Sequence, residues 1–116
     1  MTINADAVGA TTELRAARAL FYEAIDDAWA NVLAGESNLD DRIALRTANY
    51  HAVQASATVI DCMYSIAGGS SVYETSPLQR HKRDAHVATQ HMMNADSVME
   101  LAGRVMLGAD ETGAGL

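Results

Sequence analysis

Cysteine is almost absent from this chain. Cys62 stands alone, so no internal disulfide can form, and such scarcity fits a reducing, cytoplasmic setting. Aromatic residues make up only 5%, which argues against a sheet, whose faces draw on aromatic and β-branched side chains. Basic charge is scarce too: eight Lys and Arg stand against fifteen Asp and Glu, for a net charge of −7. That balance argues against nucleic acid or an anionic membrane as the main partner. No window approaches the ~20 consecutive apolar residues of a membrane span. The opening "MTINADAVGA" lacks the basic n-region and apolar run of a signal peptide. Neither strand-like alternation nor an internal repeat is visible.

What is present is alanine and helical periodicity. With 116 residues the chain makes one domain, able to bury roughly 65% of its unfolded surface. Leu14, Ala17, Phe21, Ala24, Ile25, Ala28, Trp29 and Val32 recur at spacings of three and four, which predicts a first helix over 12–34. Thr11 or Thr12 can cap it, and Gly35 ends it. Residues 1–11 read as a flexible terminus. In "ESNLDD", Ser37 or Asn38 caps a second helix with Asp40 and Asp41 in its first turn. It runs to about Ala67, where Gly68 and Gly69 stop it, one of them left-handed. Ser76–Pro77 starts a third helix that reaches about Met93. Asn94 caps a final short helix ending at Gly108, and 109–116 read as a flexible tail. The expected fold is all-α: an up-and-down helical bundle over 12–108, with three long helices and a shorter C-terminal one. The first helix has a wide apolar stripe, and the second is apolar or small on nearly every side. This surplus predicts an oligomer or a missing partner segment; the alternative is a compact four-helix monomer.

The stretch "GGSSVYETSPLQRHKRDAHVATQH", residues 68–91, concentrates the chemistry. His81, His86 and His91 do not read as a metal site. Five residues on a helix turn each one about 140° from the last, whereas helical ligands need i,i+3 or i,i+4. Arg80, His81, Lys82 and Arg83 form a basic knot near a helix start. It reads either as a solvated face paired with Asp84 and Glu74, or as an anion clamp beside the accessible backbone of Gly68 and Gly69. Spacing alone leaves His91 open between a structural and a functional role.

Taken in order, Gly68-Gly69, Pro77, Arg80, Arg83-Asp84-Ala85 and Leu101 to Gly108, with "ARALFYEA" before them, resemble the C-terminal helical domain of the acyl-CoA dehydrogenase superfamily. The resemblance covers roughly 12–108. In many straight-chain dehydrogenases of this family a Glu downstream of the Arg-Asp-Ala motif removes the substrate α-proton. Counting forward, that place falls at Met92, which cannot take a proton. Gln90-His91 instead is similar to the flavin-dependent monooxygenase branch, where a His faces the flavin ring.

The resemblance implies a flavin, FAD or FMN, in the intact enzyme, with none held tightly by this chain alone. It implies His91 as the catalytic group that orients or protonates, and Gly68, Gly69, Arg80 and Arg83 as cofactor-binding residues across a subunit interface. It also implies reduced flavin from a partner reductase and a homo-oligomer. Family members are several-fold longer, so an N-terminal helical domain, a middle β-domain and the domain's own first helix are expected to lie outside this sequence. The competing expectation is a non-catalytic helical assembly module that keeps the fold and binds no flavin. A dehydrogenase with its base elsewhere is a third reading. The substrate is not legible.

Overall fold

The computed structural model describes residues 2–69, 73 and 75–116. It is all-α, with α1 at Ile3–Leu33, α2 at Leu39–Ala67, α3 at Pro77–Thr89, a 3-10 turn at Met92–Asn94 and α4 at Asp96–Met106. No strand occurs among the described residues.

The first helix starts at Ile3 rather than near Thr12. Thr2 is the cap, its hydroxyl accepting from the Ala5 N–H at 3.3 Å. Thr11 and Thr12 lie mid-helix and donate back to the Ala7 and Val8 carbonyls, each at 2.8 Å. Residues 3–11, expected to be loose, are therefore helical; their alanines sustain a helix without an apolar stripe to announce it. Gly35 (φ +74) follows the end of α1, and Asn38 caps α2 through the Asp41 N–H at 2.8 Å, both as expected.

The α1–α2 turn is clamped from within. Asn31 Nδ2 donates to both Asp41 carboxylate oxygens at 2.9 and 3.0 Å. At the far end of the pair, Cys62 Sγ lies 3.7 Å from the Asp6 carbonyl. These two contacts fix the helices antiparallel. Between them the core is nearly all alanine: Ala10, Ala17, Ala24 and Ala28 from α1 are buried, with Ala48, Ala55 and Ala57 from α2. Small side chains let helix axes approach toward the near end of the 8–10 Å range.

α2 is the hub: α1, α3, the 3-10 turn and α4 each pack against it, and no other pair among the described elements packs as extensively. α3 ends at Thr89, short of the expected Met93. Asn94 does not cap α4; Ala95 occupies that place, without a side-chain bond. Asn94 is buried instead, donating to the Ala88 carbonyl at 2.9 Å and accepting from Asn49 Nδ2 at 2.6 Å. It ties the α3–α4 corner to α2, a use that outweighs capping because a buried amide must be satisfied. Residues 109–116, expected as a loose tail, fold back instead. Arg46 donates to the Gly115 carbonyl at 3.1 Å, and buried Gly113 packs on Leu39.

The resulting body is elongated, 51 × 27 × 24 Å, with a Cα radius of gyration of 17.2 Å. A compact chain of this length would have about 13 Å. The accessible surface is 7755 Å², against roughly 6,100 Å² for a compact monomer of this mass. The excess includes large apolar side chains, as the two stripes in the sequence require: Trp29 is 63% exposed and Leu107 88%.

Candidate functional site

α3 presents Gln79, Lys82, Arg83 and His86 toward α2, one turn apart along its face, because i,i+3 and i,i+4 residues share a side. With Tyr64 of α2 they line an open groove of about 410 Å³. Ser76 and Pro77 position this helix: the Ser76 hydroxyl accepts from the Leu78 N–H at 3.4 Å, and Pro77 opens the first turn.

Asp61, one turn before Tyr64 on α2, organises the groove. It meets His86 Nε2 at 2.8 Å and Lys82 Nζ at 3.5 Å. Lys82 Nζ also lies 4.4 Å from the centre of the Tyr64 ring, a cation–π contact. The hydrogen bond to His86, helped by the His86 and Lys82 charges, holds the Asp61 carboxyl below its ordinary range against some desolvation. Lys82 and His86 are thus already committed.

Arg83 is not. It lines the groove and forms no ion pair among the described residues. Arg80 is exposed, outside the groove lining, and likewise forms no ion pair there. Of the acids expected beside them, Asp84 pairs with neither, and Glu74 lies outside the described residues.

Gly68 follows Tyr64 by one helical turn. It stops α2 at a positive φ of +64, but its ψ of −142 lies away from the left-handed helical well that was expected. At both Gly68 and Gly69 an added Cβ would meet nothing within 4 Å, while the Gly68 N–H itself donates to the Ser65 carbonyl.

His91 lies beyond the other end of α3, roughly 20 Å of helix away. It is exposed and extended (φ −67, ψ 138), and it heads the 3-10 turn rather than riding on α3. Its Nδ1 accepts from the Met93 N–H at 3.2 Å. With Nδ1 accepting, Nε2 is the ring nitrogen left to donate. Met92 is 77% exposed beside it. A polar cleft of about 310 Å³ adjoins, lined by Gln54, Thr89, Gln90, Asn94, Ala95 and Asp96. There the Tyr50 hydroxyl donates to Asp96, whose carboxylate raises the Tyr50 pKa.

Two sets of residues therefore emerge, not one. Arg83 lines the α2–α3 groove, Gly68 and Gly69 follow the end of the helix that carries Tyr64, and His91 stands apart. Among the described residues no cluster of His, Cys, Asp and Glu could hold a metal ion. Asp61, Tyr64, Tyr50 and Asp96 escaped the sequence reading. Each acts through a residue on another helix, and no local spacing signals such a pair.

Tested against a flavin, these side chains fit an anionic edge. Arg83 offers a guanidinium with no ion pair among the described residues, and space for a Cβ is open at Gly68 and Gly69. The α2–α3 groove does not enclose a planar three-ring system; it is open on one side.

Comparison with known proteins agrees with the fold. Residues 2–96 match the family model described as acyl-CoA dehydrogenase, C-terminal domain. The chain is 38% identical over 104 residues to an indole-3-acetate monooxygenase of Pseudomonas putida, covering 89% of this chain and 27% of that protein. It is 33% identical over 100 residues to an indole-3-acetate monooxygenase of Acinetobacter baumannii, covering 85% and 26%. A pigment production hydroxylase of Rhodococcus erythropolis is 34% identical over 106 residues, covering 90% and 27%. This chain belongs to the acyl-CoA dehydrogenase family, as its C-terminal domain. It spans about a quarter of the length of the curated relatives it matches.

Proposed function

We propose that this domain completes the flavin and substrate site of a flavin-dependent monooxygenase. The observation that carries the reading is His91. Its Nδ1 accepts from the Met93 N–H, which leaves the Nε2 of an exposed ring to donate to a substrate oxygen. Met92 stands at the place where a dehydrogenase base would be needed and has no basic atom. The names of the relatives, monooxygenase and hydroxylase, support the same branch.

In this reading Arg83, with Arg80 behind it, and the backbone of Gly68 and Gly69 hold the anionic end of FAD or FMN. When bound, that group supplies the redox chemistry and the activation of oxygen. His91 orients the substrate and moves a proton at Nε2. Reduced flavin comes from a partner reductase, the setting is cytoplasmic, and further domains cover the open side of the groove. The second reading, an assembly module without flavin, is favoured by the open side of the α2–α3 groove.

The test is a graft. This chain replaces the corresponding C-terminal quarter of the Pseudomonas putida relative, and flavin binding and substrate-dependent oxygen use are measured. The proposal expects both to survive, and His91→Ala in the graft to lower turnover by roughly tenfold or more, as for a lost acid–base group. Unchanged turnover in that variant removes His91 from the mechanism. A folded graft that binds no flavin favours the assembly module.

A further inference from the structure

One face of α2 holds the short segment that His91 heads. Arg46, Asn49 and Tyr50 stand three and four residues apart, so they share a side of that helix. Arg46 Nη1 donates to Met93 Sδ at 3.2 Å, Asn49 Nδ2 donates to Asn94 Oδ1 at 2.6 Å, and the Tyr50 hydroxyl donates to Asp96. The segment has little of its own to hold it. Its 3-10 turn closes on two backbone bonds, from the Asn94 N–H to the His91 carbonyl at 2.8 Å and from the Ala95 N–H to the Met92 carbonyl at 3.3 Å. A turn this short has poor hydrogen-bond geometry. Asn94 brackets His91 on both sides. Its N–H takes the His91 carbonyl, and its Nδ2 takes the Ala88 carbonyl at 2.9 Å, which also accepts the His91 N–H at 3.3 Å. Asn94 is only 9% exposed. Asn49 sets the direction of its amide, because a donor at Oδ1 leaves Nδ2 for Ala88.

We propose that Asn49 and Asn94 are positioning residues for His91, acting through the turn and not on substrate or cofactor. The His91 ring takes its orientation from the Met93 N–H, which meets Nδ1 at 3.2 Å. Where that N–H lies depends on the turn, and where the turn lies depends on Asn94. With the amide pair broken, the exposed ring loses its fixed partner, and Nδ1 and Nε2 exchange roles. Burying an amide pair costs desolvation that an apolar pair of the same size avoids; what it returns is a single geometry. A group that moves a proton needs that geometry, since its support must hold it to within about 0.5 Å. The inference rests on the reading of His91 given above.

Two measurements separate the support from the chemistry. In the purified chain at about pH 8, where an imidazole is neutral, the NMR shifts of the His91 ring nitrogens report which one carries the proton. The wild type is expected to carry it on Nε2. Asn49→Ala should give a mixture of both tautomers while circular dichroism stays helical. Asn49→Asp, equal in size but unable to donate once ionised, should do the same. Asn31→Ala is the control: it breaks the clamp to Asp41 at the α1–α2 turn and should leave the His91 shifts where they are. In the graft, Asn49→Ala should lower kcat by roughly tenfold, as for a displaced reacting group. In a His91→Ala background the same substitution should cost nothing further, because both act through one group. Unmoved His91 shifts in Asn49→Ala, or equal movement in Asn31→Ala, overturn the proposal. So do losses that multiply in the double variant. If His91→Ala alone leaves turnover unchanged, the reading of His91 falls, and the shifts by themselves decide whether the amide pair holds the ring.

Discussion

Replacing Gly68 by alanine isolates a single physical cost. Gly68 sits at φ +64 and ψ −142, a region that a residue with a Cβ rarely enters. A Cβ there would touch nothing within 4 Å, so crowding by neighbours contributes nothing. The whole penalty is local backbone strain, of order 1–3 kcal/mol. For 116 residues the unfolding entropy is about 0.24 kcal/mol per degree, so the melting temperature should fall by about 4–12 °C. Gly69 is the internal control. It has equally open surroundings and no positive φ, so Gly69→Ala should stay within about 0.5 kcal/mol of wild type. Thermal and urea unfolding of both variants, followed by circular dichroism, decides the matter. Equal losses at the two positions, or no loss at Gly68, would refute the reasoning. If the flavin reading holds, Gly69→Ala in the graft should still weaken flavin binding, since a methyl group would then obstruct the backbone's approach.

Asn94→Ala should cost about 1–3 kcal/mol in urea unfolding, because it strands the Asn49 amide and leaves the Ala88 carbonyl with only the His91 N–H; a change under 0.5 kcal/mol would contradict that role. Asp61→Asn should cost no more than about 1 kcal/mol at neutral pH, since the pair it loses is solvent-exposed. The folded-state pKa of Asp61 is depressed, so its contribution is present above the ordinary value of 3.8 and disappears as pH falls below it. Wild type and variant should therefore converge in stability as acid is added, and a gap that widens below pH 3.8 would contradict the sign. Arg83→Ala should leave the melting temperature within about 2 °C, because Arg83 forms no ion pair among the described residues, yet weaken flavin binding in the graft. A large stability loss would make Arg83 structural.

The helices that bury a periodic stripe were legible in the sequence, and so were the punctuating residues Gly35, Asn38, Gly68, Ser76 and Pro77. The start of α1 was not. Its opening turns are held by alanine propensity and by Thr2, neither of which produces an apolar period. Asn94 looked like a cap because capping is its local preference; a partner on α2, far away in sequence, decided otherwise. The tail looked loose because Gly and Ala carry no signal, yet Arg46 and Leu39 receive it. The site followed the same rule. Gly68, Gly69, Arg80, Arg83 and His91 stood out by type and order. Asp61, which commits His86 and Lys82 and leaves Arg83 unpaired, could be found only once α2 and α3 lay side by side.

The central claim is that this domain offers one edge of a flavin site and needs other protein to close it. Titrating the isolated chain with FAD and FMN while following flavin fluorescence tests this most directly. The account predicts no saturable change through the micromolar range, and binding only when the remaining domains are supplied. Saturable, submicromolar binding by these 116 residues alone would contradict it.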